Sequence, residues 1–227
     1  MTPVAIKKIR KDKGITQAEL AEKIGISRGV LVAVEKGERD LSLTEAEKLS
    51  QILGIRVEEL SGEMVPQYEK YLEMIRAFLQ TTNGDGKVPK TKLAKMLYLA
   101  DFSWYYNTLE SMSGMQYRKI DYGPVPDAYF RAIDELETKG VIEVDRKSPH
   151  GKDMFLISLS DTGKKLPFNQ LAADEKKRIQ DIEKKWQDKR TAEIVTFTHN
   201  QLPYALPFDD ELISYALITQ EDPDNIY

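Results

Sequence analysis

Apolar residues recur at three- and four-residue spacing along most of this chain, which predicts a succession of amphipathic helices. Ile6 and Ile9 mark one side of a first helix, ringed by Lys7, Lys8, Arg10, Lys11 and Lys13 and ended by Gly14. Thr16-Gln17-Ala18-Glu19 has the form of a capping box, opening a second helix with Leu20, Ala21 and Ile24 inward. Gly25 permits a sharp turn, Ser27 is placed to cap a third helix burying Leu31 and Val34, and Gly37 stops it. Ser42-Leu43-Thr44-Glu45 repeats the capping box ahead of Ala46, Leu49 and Leu53, with Gly54 at the end. Past a linker at Ser61–Pro66, Tyr68, Leu72, Ile75 and Leu79 predict a helix reaching Asn83-Gly84-Asp85-Gly86, which reads as an ordinary turn. Tyr129, Ile133 and Leu136 predict another, ending at Gly140. Strand-like patterning appears at Val141–Asp145 and Phe155–Leu159, a hairpin around Ser148-Pro149-His150-Gly151. Ile179, Ile182 and Trp186 form a narrow seam on a charged helix, and Ala192, Val195 and Phe197 lead a short helix to His199. Pro203 and Pro207 break the chain, and Leu212, Ile213, Ala216 and Leu217 let part of the acidic tail dock.

The stretch from Thr91 to Pro126 holds the most unusual chemistry. Leu93, Leu97, Ala100 and Trp104 recur on one helical face, and Tyr98, Asp101 and Tyr105 on the adjoining one. Side chains three and four apart on a helix are neighbours, so hydroxyls and a carboxylate form one surface there. Tyr122-Gly123-Pro124-Val125-Pro126 then reads as a rigid turn, because each proline fixes its own φ and pushes its predecessor toward extended backbone. A helix with a mixed second face before a rigid turn suits presenting a site. The structural alternative is that the tyrosines are core residues and Asp101 anchors the turn.

Composition narrows the class. There is no cysteine, so disulfides and thiolate metal sites are excluded. No apolar run approaches the roughly 20 residues of a membrane span, and lysines interrupt the N-terminal apolar residues, so a cytoplasmic protein is expected. The net charge of −4 argues against a generally basic nucleic-acid coat while leaving room for a local basic face. Histidine occurs only at 150 and 199, without ligand-spaced partners, and no nucleophile elbow, P-loop or dinucleotide fingerprint is present. No catalytic residue, metal or cofactor is therefore expected.

Ile15-Thr-Gln-Ala-Glu-Leu-Ala-Glu-Lys-Ile-Gly-Ile-Ser27 followed by Glu35-Lys-Gly-Glu-Arg39 resembles the Xre/Cro repressor family over residues 4–60. The resemblance implies a third helix in the major groove of operator DNA. Gln17, Lys36 and Arg39 would hold backbone phosphates, and Ser27 and Arg28 would stand at the groove. The chain departs from the pattern at Gly29, Val30, Val32 and Ala33, outward positions without groups for bidentate base recognition. Gly29 also weakens the helix by about 1 kcal/mol relative to alanine. Such an apolar outer face suits a second subunit or another protein, and a homo-oligomer is expected.

Lys92-x-x-Lys-Met-Leu-Tyr-Leu-Ala-Asp101 with Tyr122-Gly-Pro-Val-Pro126 resembles the Panacea, or SocA-like, domain over about residues 66–205. That resemblance implies an antitoxin module binding a cognate toxin encoded by an adjacent gene, with Tyr98, Asp101, Tyr105, Tyr122 and Pro124 as the expected toxin-binding residues. A proteolytic adaptor for the toxin and a phage- or plasmid-type repressor are the alternatives. The expected fold is mainly α: a helix-turn-helix bundle over residues 1–62 and a larger helical domain with a small β-hairpin over 66–227.

Overall fold

The computed structural model describes residues 3–53, 65–82, 84–148 and 153–227. The chain divides into two compact units, Met1–Val65 and Pro66–Tyr227. Both are mainly helical.

The first unit holds α1 (Pro3–Asp12), α2 (Gln17–Ile24), α3 (Arg28–Lys36) and α4 (Leu43–Leu53). Both capping boxes form. Thr16 Oγ1 accepts from the Glu19 amide at 3.2 Å while Glu19 accepts from the Thr16 amide at 2.7 Å, and Ser42 and Glu45 repeat the exchange. Gly25, at φ 85°, occupies the left-handed region that reverses the chain between α2 and α3. Ile6, Leu20, Ala21, Ile24, Leu31, Val34, Leu49 and Leu53 close into one core. Arg10, expected among the surface cations of α1, is instead buried opposite Glu35. Helical spacing marks the inward position, and only the partner on α3 makes a cation tolerable there. The expected stop at Gly54 and most of the Ser61–Pro66 linker lie outside the described residues.

The second unit is built around α6 (Lys90–Thr108), preceded by α5 (Tyr68–Thr81) and the short strand β1 (Val88–Pro89). After α6 come β2 (Tyr117–Ile120), β3 (Gly123–Pro126), α7 (Ala128–Thr138), β4 (Ile142–Lys147) and β5 (Met154–Leu159). Then follow α8 (Asp161–Lys165), α9 (Ala173–Trp186), α10 (Thr191–Asn200), α11 (Leu202–Ala205) and two 3₁₀ turns, Tyr215–Gln220 and Pro223–Asn225. The turn before β1 is an ordinary one, closed by Asp85 Oδ1 accepting from the Lys87 amide at 3.1 Å; Asn83 lies outside the described residues.

The expected hairpin is present as β4 antiparallel to β5, with Ile142 opposite Leu159, and β1 adds a third strand against β5 that periodicity over two residues cannot reveal. Its turn, residues 149–152 including His150, lies outside the described residues. The segment expected to be only a rigid turn, Tyr122–Pro126, is largely strand: β3 pairs with β2, Lys119 opposite Pro124. Two prolines are tolerable because β3 has its second edge free of strand partners among the described residues, so no ladder donor is demanded there. On the other side of β2, the tail joins through Ile213 N–H to Tyr117 O at 2.8 Å and Lys119 N–H to Glu211 O at 3.0 Å.

Buried charges lock the helices to their connections. Glu73 on α5 accepts from three successive amides, Asn169, Gln170 and Leu171, just ahead of α9. Lys92 on α6 donates to Gln187 O at 3.0 Å and Lys189 O at 2.7 Å, satisfying carbonyls at the other end of α9. On α10 the inward residues are Ile194 and Thr198, with Phe197 at the edge of Trp186 at 5.0 Å.

Candidate functional site

In the first unit, α2 and α3 meet at Gly25 and present the N-terminal end of α3. Ser27 Oγ accepts from the Val30 amide at 3.2 Å, so its hydroxyl is engaged as the helix cap. Arg28 is exposed and makes no hydrogen bond or ion pair among the described residues. Gln17 is drawn inward: its amide donates to Glu35 Oε2 at 2.8 Å. Glu35 also accepts from Arg10 Nε at 2.5 Å and Nη2 at 3.1 Å, and Arg10 Nη1 reaches Ile15 O at 2.8 Å. Burial pushes the Glu35 carboxyl up, but the hydrogen bonds from Arg10 and Gln17 outweigh it and leave it below the usual carboxylate range. Arg39 grips Glu45 at 3.0 and 3.2 Å, and Lys36 stands exposed with Glu38 at 3.8 Å. Of the positions without base-reading groups, Gly29 is exposed while Val30, Val32 and Ala33 are half-buried.

In the second unit, α6 is not the two-faced helix expected. It is buried nearly all round, with Trp104 only half so. Tyr98 and Asp101 are fully buried, Tyr105 is 4% exposed, and Pro124 is buried in β3. These four do not form a surface, and the reason is tertiary. The loop after α6 and the C-terminal tail fold over the second face. Asp101 accepts from Ser111 Oγ at 2.9 Å, the Ser113 amide at 2.7 Å, Ser113 Oγ at 2.5 Å and Tyr117 Oη at 2.9 Å. Burial drives its carboxyl above the usual carboxylate range, against the pull of these donors. Around it Phe102 stacks on Tyr215 at 4.1 Å, Tyr98 lies 4.2 Å from Phe102, and Tyr117 meets Phe102 edge-on at 5.5 Å. Tyr215 Oη donates to Met115 O at 2.7 Å, binding the tail to the loop. Asp101 is an anchor. Of the five expected contact residues Tyr122 alone stands in solvent, 76% exposed at the tip between β2 and β3.

A second buried group brings Lys95 and His199 together beside Gly123. Lys95 is fully buried, its ammonium nitrogen 3.5 Å from Pro124 O, and burial lowers its pKa to about 7. Across the same spot His199 stacks on Tyr204 at 4.2 Å, with its Nε2 buried and unpartnered among the described residues. Burial and the neighbouring Lys95 and Lys119 lower its pKa. Both nitrogens crowd Gly123: a Cβ there would collide with Lys95 Nζ and lie 2.6 Å from His199 Nε2. Lys95 lies on the side of the helix opposite the Leu93, Leu97 and Ala100 face, so neither the helical pattern nor its residue type announces its burial. Among the described residues no group of three or more His, Asp or Glu side chains is arranged to hold a metal.

Comparison with known proteins gives two family matches on this chain. Residues 6–60 match the Helix-turn-helix family model, and residues 93–203 match Antitoxin SocA-like, Panacea domain. An uncharacterized HTH-type transcriptional regulator of Methanocaldococcus jannaschii is 38% identical over 55 residues, 24% of this chain and 83% of that protein. The chain belongs to the helix-turn-helix family. A further such regulator from Methanothermobacter thermautotrophicus is 43% identical over 49 residues, 22% of this chain and 71% of its own length. The immunity repressor of Bacillus phage phi105 is 41% identical over 58 residues, covering 26% of this chain and 40% of the repressor. No solved structure matches. In this helix-turn-helix protein the match to Antitoxin SocA-like, Panacea domain falls within the second unit. Neither matched family is an enzyme family. Among the described residues no helix is long and apolar enough to cross a membrane.

Proposed function

We propose that this protein is an antitoxin that neutralises a cognate toxin, encoded by an adjacent gene, through direct binding by its Panacea domain, while the helix-turn-helix unit binds operator DNA as a dimer and regulates the operon. The observation that carries this reading is the joining of the two family matches on one chain. The exposed Arg28 and Lys36 at the two ends of α3, with Arg39 in the loop after it, supply phosphate contacts, and Ser27 fixes the start of α3 at the groove. Gln17 acts at one remove, by holding Glu35 and so the α2–α3 angle. Base readout is weak, because Val30, Val32 and Ala33 offer only methyl contacts. Half-sites would lie one helical turn apart, roughly 34–36 Å.

Two measurements test it. Co-expression with the product of each adjacent gene reads toxin neutralisation as growth, and absence of any toxic neighbour against which the chain protects would sink the antitoxin reading. Gel-shift titration against the chain's own upstream DNA at stepped salt reads the second part. Each phosphate contact contributes about −0.9 to the slope of log affinity against log salt, so Arg28→Ala with Lys36→Ala should reduce the slope by about 2. Equal affinity for a scrambled duplex would defeat specific regulation. The similarity to a phage immunity repressor favours a second reading, repression without a toxin partner, in which residues 1–62 alone would give full repression. That similarity leaves the whole second unit without a role.

A further inference from the structure

The buried positions of Tyr98, Asp101, Tyr105 and Pro124 leave open where a protein partner would touch the second unit. Its exposed large apolar residues are unevenly placed. Tyr122 and Phe208 are the most exposed of them, at 76% and 79%, and Leu206 is 59% exposed. Backbone pairing brings them to one end of the β2–β3 hairpin. Asp210 N–H donates to Lys119 O at 2.8 Å, Lys119 Nζ donates to Pro207 O at 2.9 Å, and Tyr204 Oη donates to Ile120 O at 3.0 Å. The Leu206–Phe208 segment is thereby held beside the Asp121–Tyr122 turn. Large exposed aromatics gathered at one place mark interaction sites on soluble proteins.

The fully exposed charge around this patch is acidic. Asp121, Asp209, Asp210 and Glu211 are all exposed. The nearby cations are turned inward or already engaged: the Lys119 side chain is 17% exposed, bonded to Pro207 O and 3.7 Å from the exposed Asp209 carboxylate, and Arg118 Nη1 donates to Asp210 O while its Nε lies 3.6 Å from Asp127. A second copy of this chain is a poor occupant. Twofold pairing places the same patch on both sides, so acidic rim would meet acidic rim. A partner with apolar pockets ringed by Lys and Arg fits both features.

We propose that the Tyr122, Leu206 and Phe208 patch with its acidic rim is the docking surface for a basic face of the toxin. This rests on the neutralisation reading above. Tyr122 and Phe208 are the anchors, and the carboxylates steer the encounter and fix its register. A stable complex needs about 800 Å² buried per partner, so the patch forms the centre of a wider contact.

The test uses the full chain and, as probe, the purified product of the adjacent gene that is toxic when expressed alone. Tyr122→Ala with Phe208→Ala should weaken binding at least thirtyfold and abolish protection, with the melting temperature unchanged because both side chains stand in solvent. Asp209→Lys, an independent variant, should slow association severalfold at low salt and less at high salt. Wild-type binding that the double variant retains within threefold would overturn the surface and leave the antitoxin reading standing. Failure of the wild-type chain to bind the toxic neighbour would overturn both. A free-chain dimer that the double variant dissociates in sedimentation would assign the patch to self-association and overturn the proposal as well.

Discussion

Replacing Asp101 by alanine separates a structural anchor from a contact residue. The carboxylate receives four hydrogen bonds, from Ser111 Oγ, the Ser113 amide, Ser113 Oγ and Tyr117 Oη, in a place where Ser113 and Tyr117 are fully buried. A buried donor left without its acceptor costs about 1–3 kcal/mol. The hydroxyls can turn elsewhere, since Ser113 and Ser111 have other neighbours, but the Ser113 amide cannot. Part of the loss is offset, because the substitution also removes a carboxylate whose burial is unfavourable, as its raised pKa reports. The net effect expected is about 2 kcal/mol, which at 2–4 °C per kcal/mol lowers the melting temperature by roughly 4–8 °C. Asp101→Asn keeps the shape, turns an NH₂ toward some of the same donors, and should fall between. Trp104 and Trp186 both lie in the second unit, so tryptophan fluorescence follows its unfolding alone. Helix-turn-helix function in gel shifts should be unaffected. An Asp101→Ala protein that melts normally yet fails to protect against the toxin would refute the anchor argument and return Asp101 to the contact surface.

Gly123→Ala should destabilise the second unit by more than the change of residue type alone, because φ is 97° there and the new Cβ meets Lys95 and His199; fluorescence melts check this, and an unchanged transition would contradict the close approach. Lys95 titrates at about 7 in the fold against about 10.4 unfolded, so the unfolded state binds more protons between these values and stability should rise as pH rises from about 7 to about 10. Lys95→Met should flatten that dependence and raise the melting temperature at neutral pH; a slope that survives the substitution would place its source elsewhere. Glu35 lies below its unfolded value, so its contribution is present above about pH 4.3 and lost as pH falls through the lowered folded value. Glu35→Gln should remove this acid sensitivity while leaving Arg10 with an uncompensated buried charge, costing about 3 kcal/mol at neutral pH in circular-dichroism melts of the first unit.

The local code of the first unit is legible in the chain because its signals act within a few residues. Thr16 with Glu19, Ser42 with Glu45, and Gly25 between α2 and α3 satisfy or bend backbone next to themselves, and the Leu20, Ile24, Leu31 and Leu49 spacing closes the core. The helices, the β4–β5 hairpin and the two family resemblances follow from the same short-range patterns. What α6 does with its second face depends on contacts ten to more than a hundred residues away. Ser113, Tyr117 and Tyr215 come over Asp101 only when the loop and tail close, and periodicity carries no record of which apolar stripe is covered twice. The same limit hid the Arg10–Glu35 pair and the burial of Lys95, since residue type reports the cost of burying a charge and only the assembled neighbours decide whether it is met. Tyr122 reads in sequence like Tyr98 or Tyr105. Its position on a hairpin tip, two residues past the end of β2, is what leaves it in water while the other two are sealed inside.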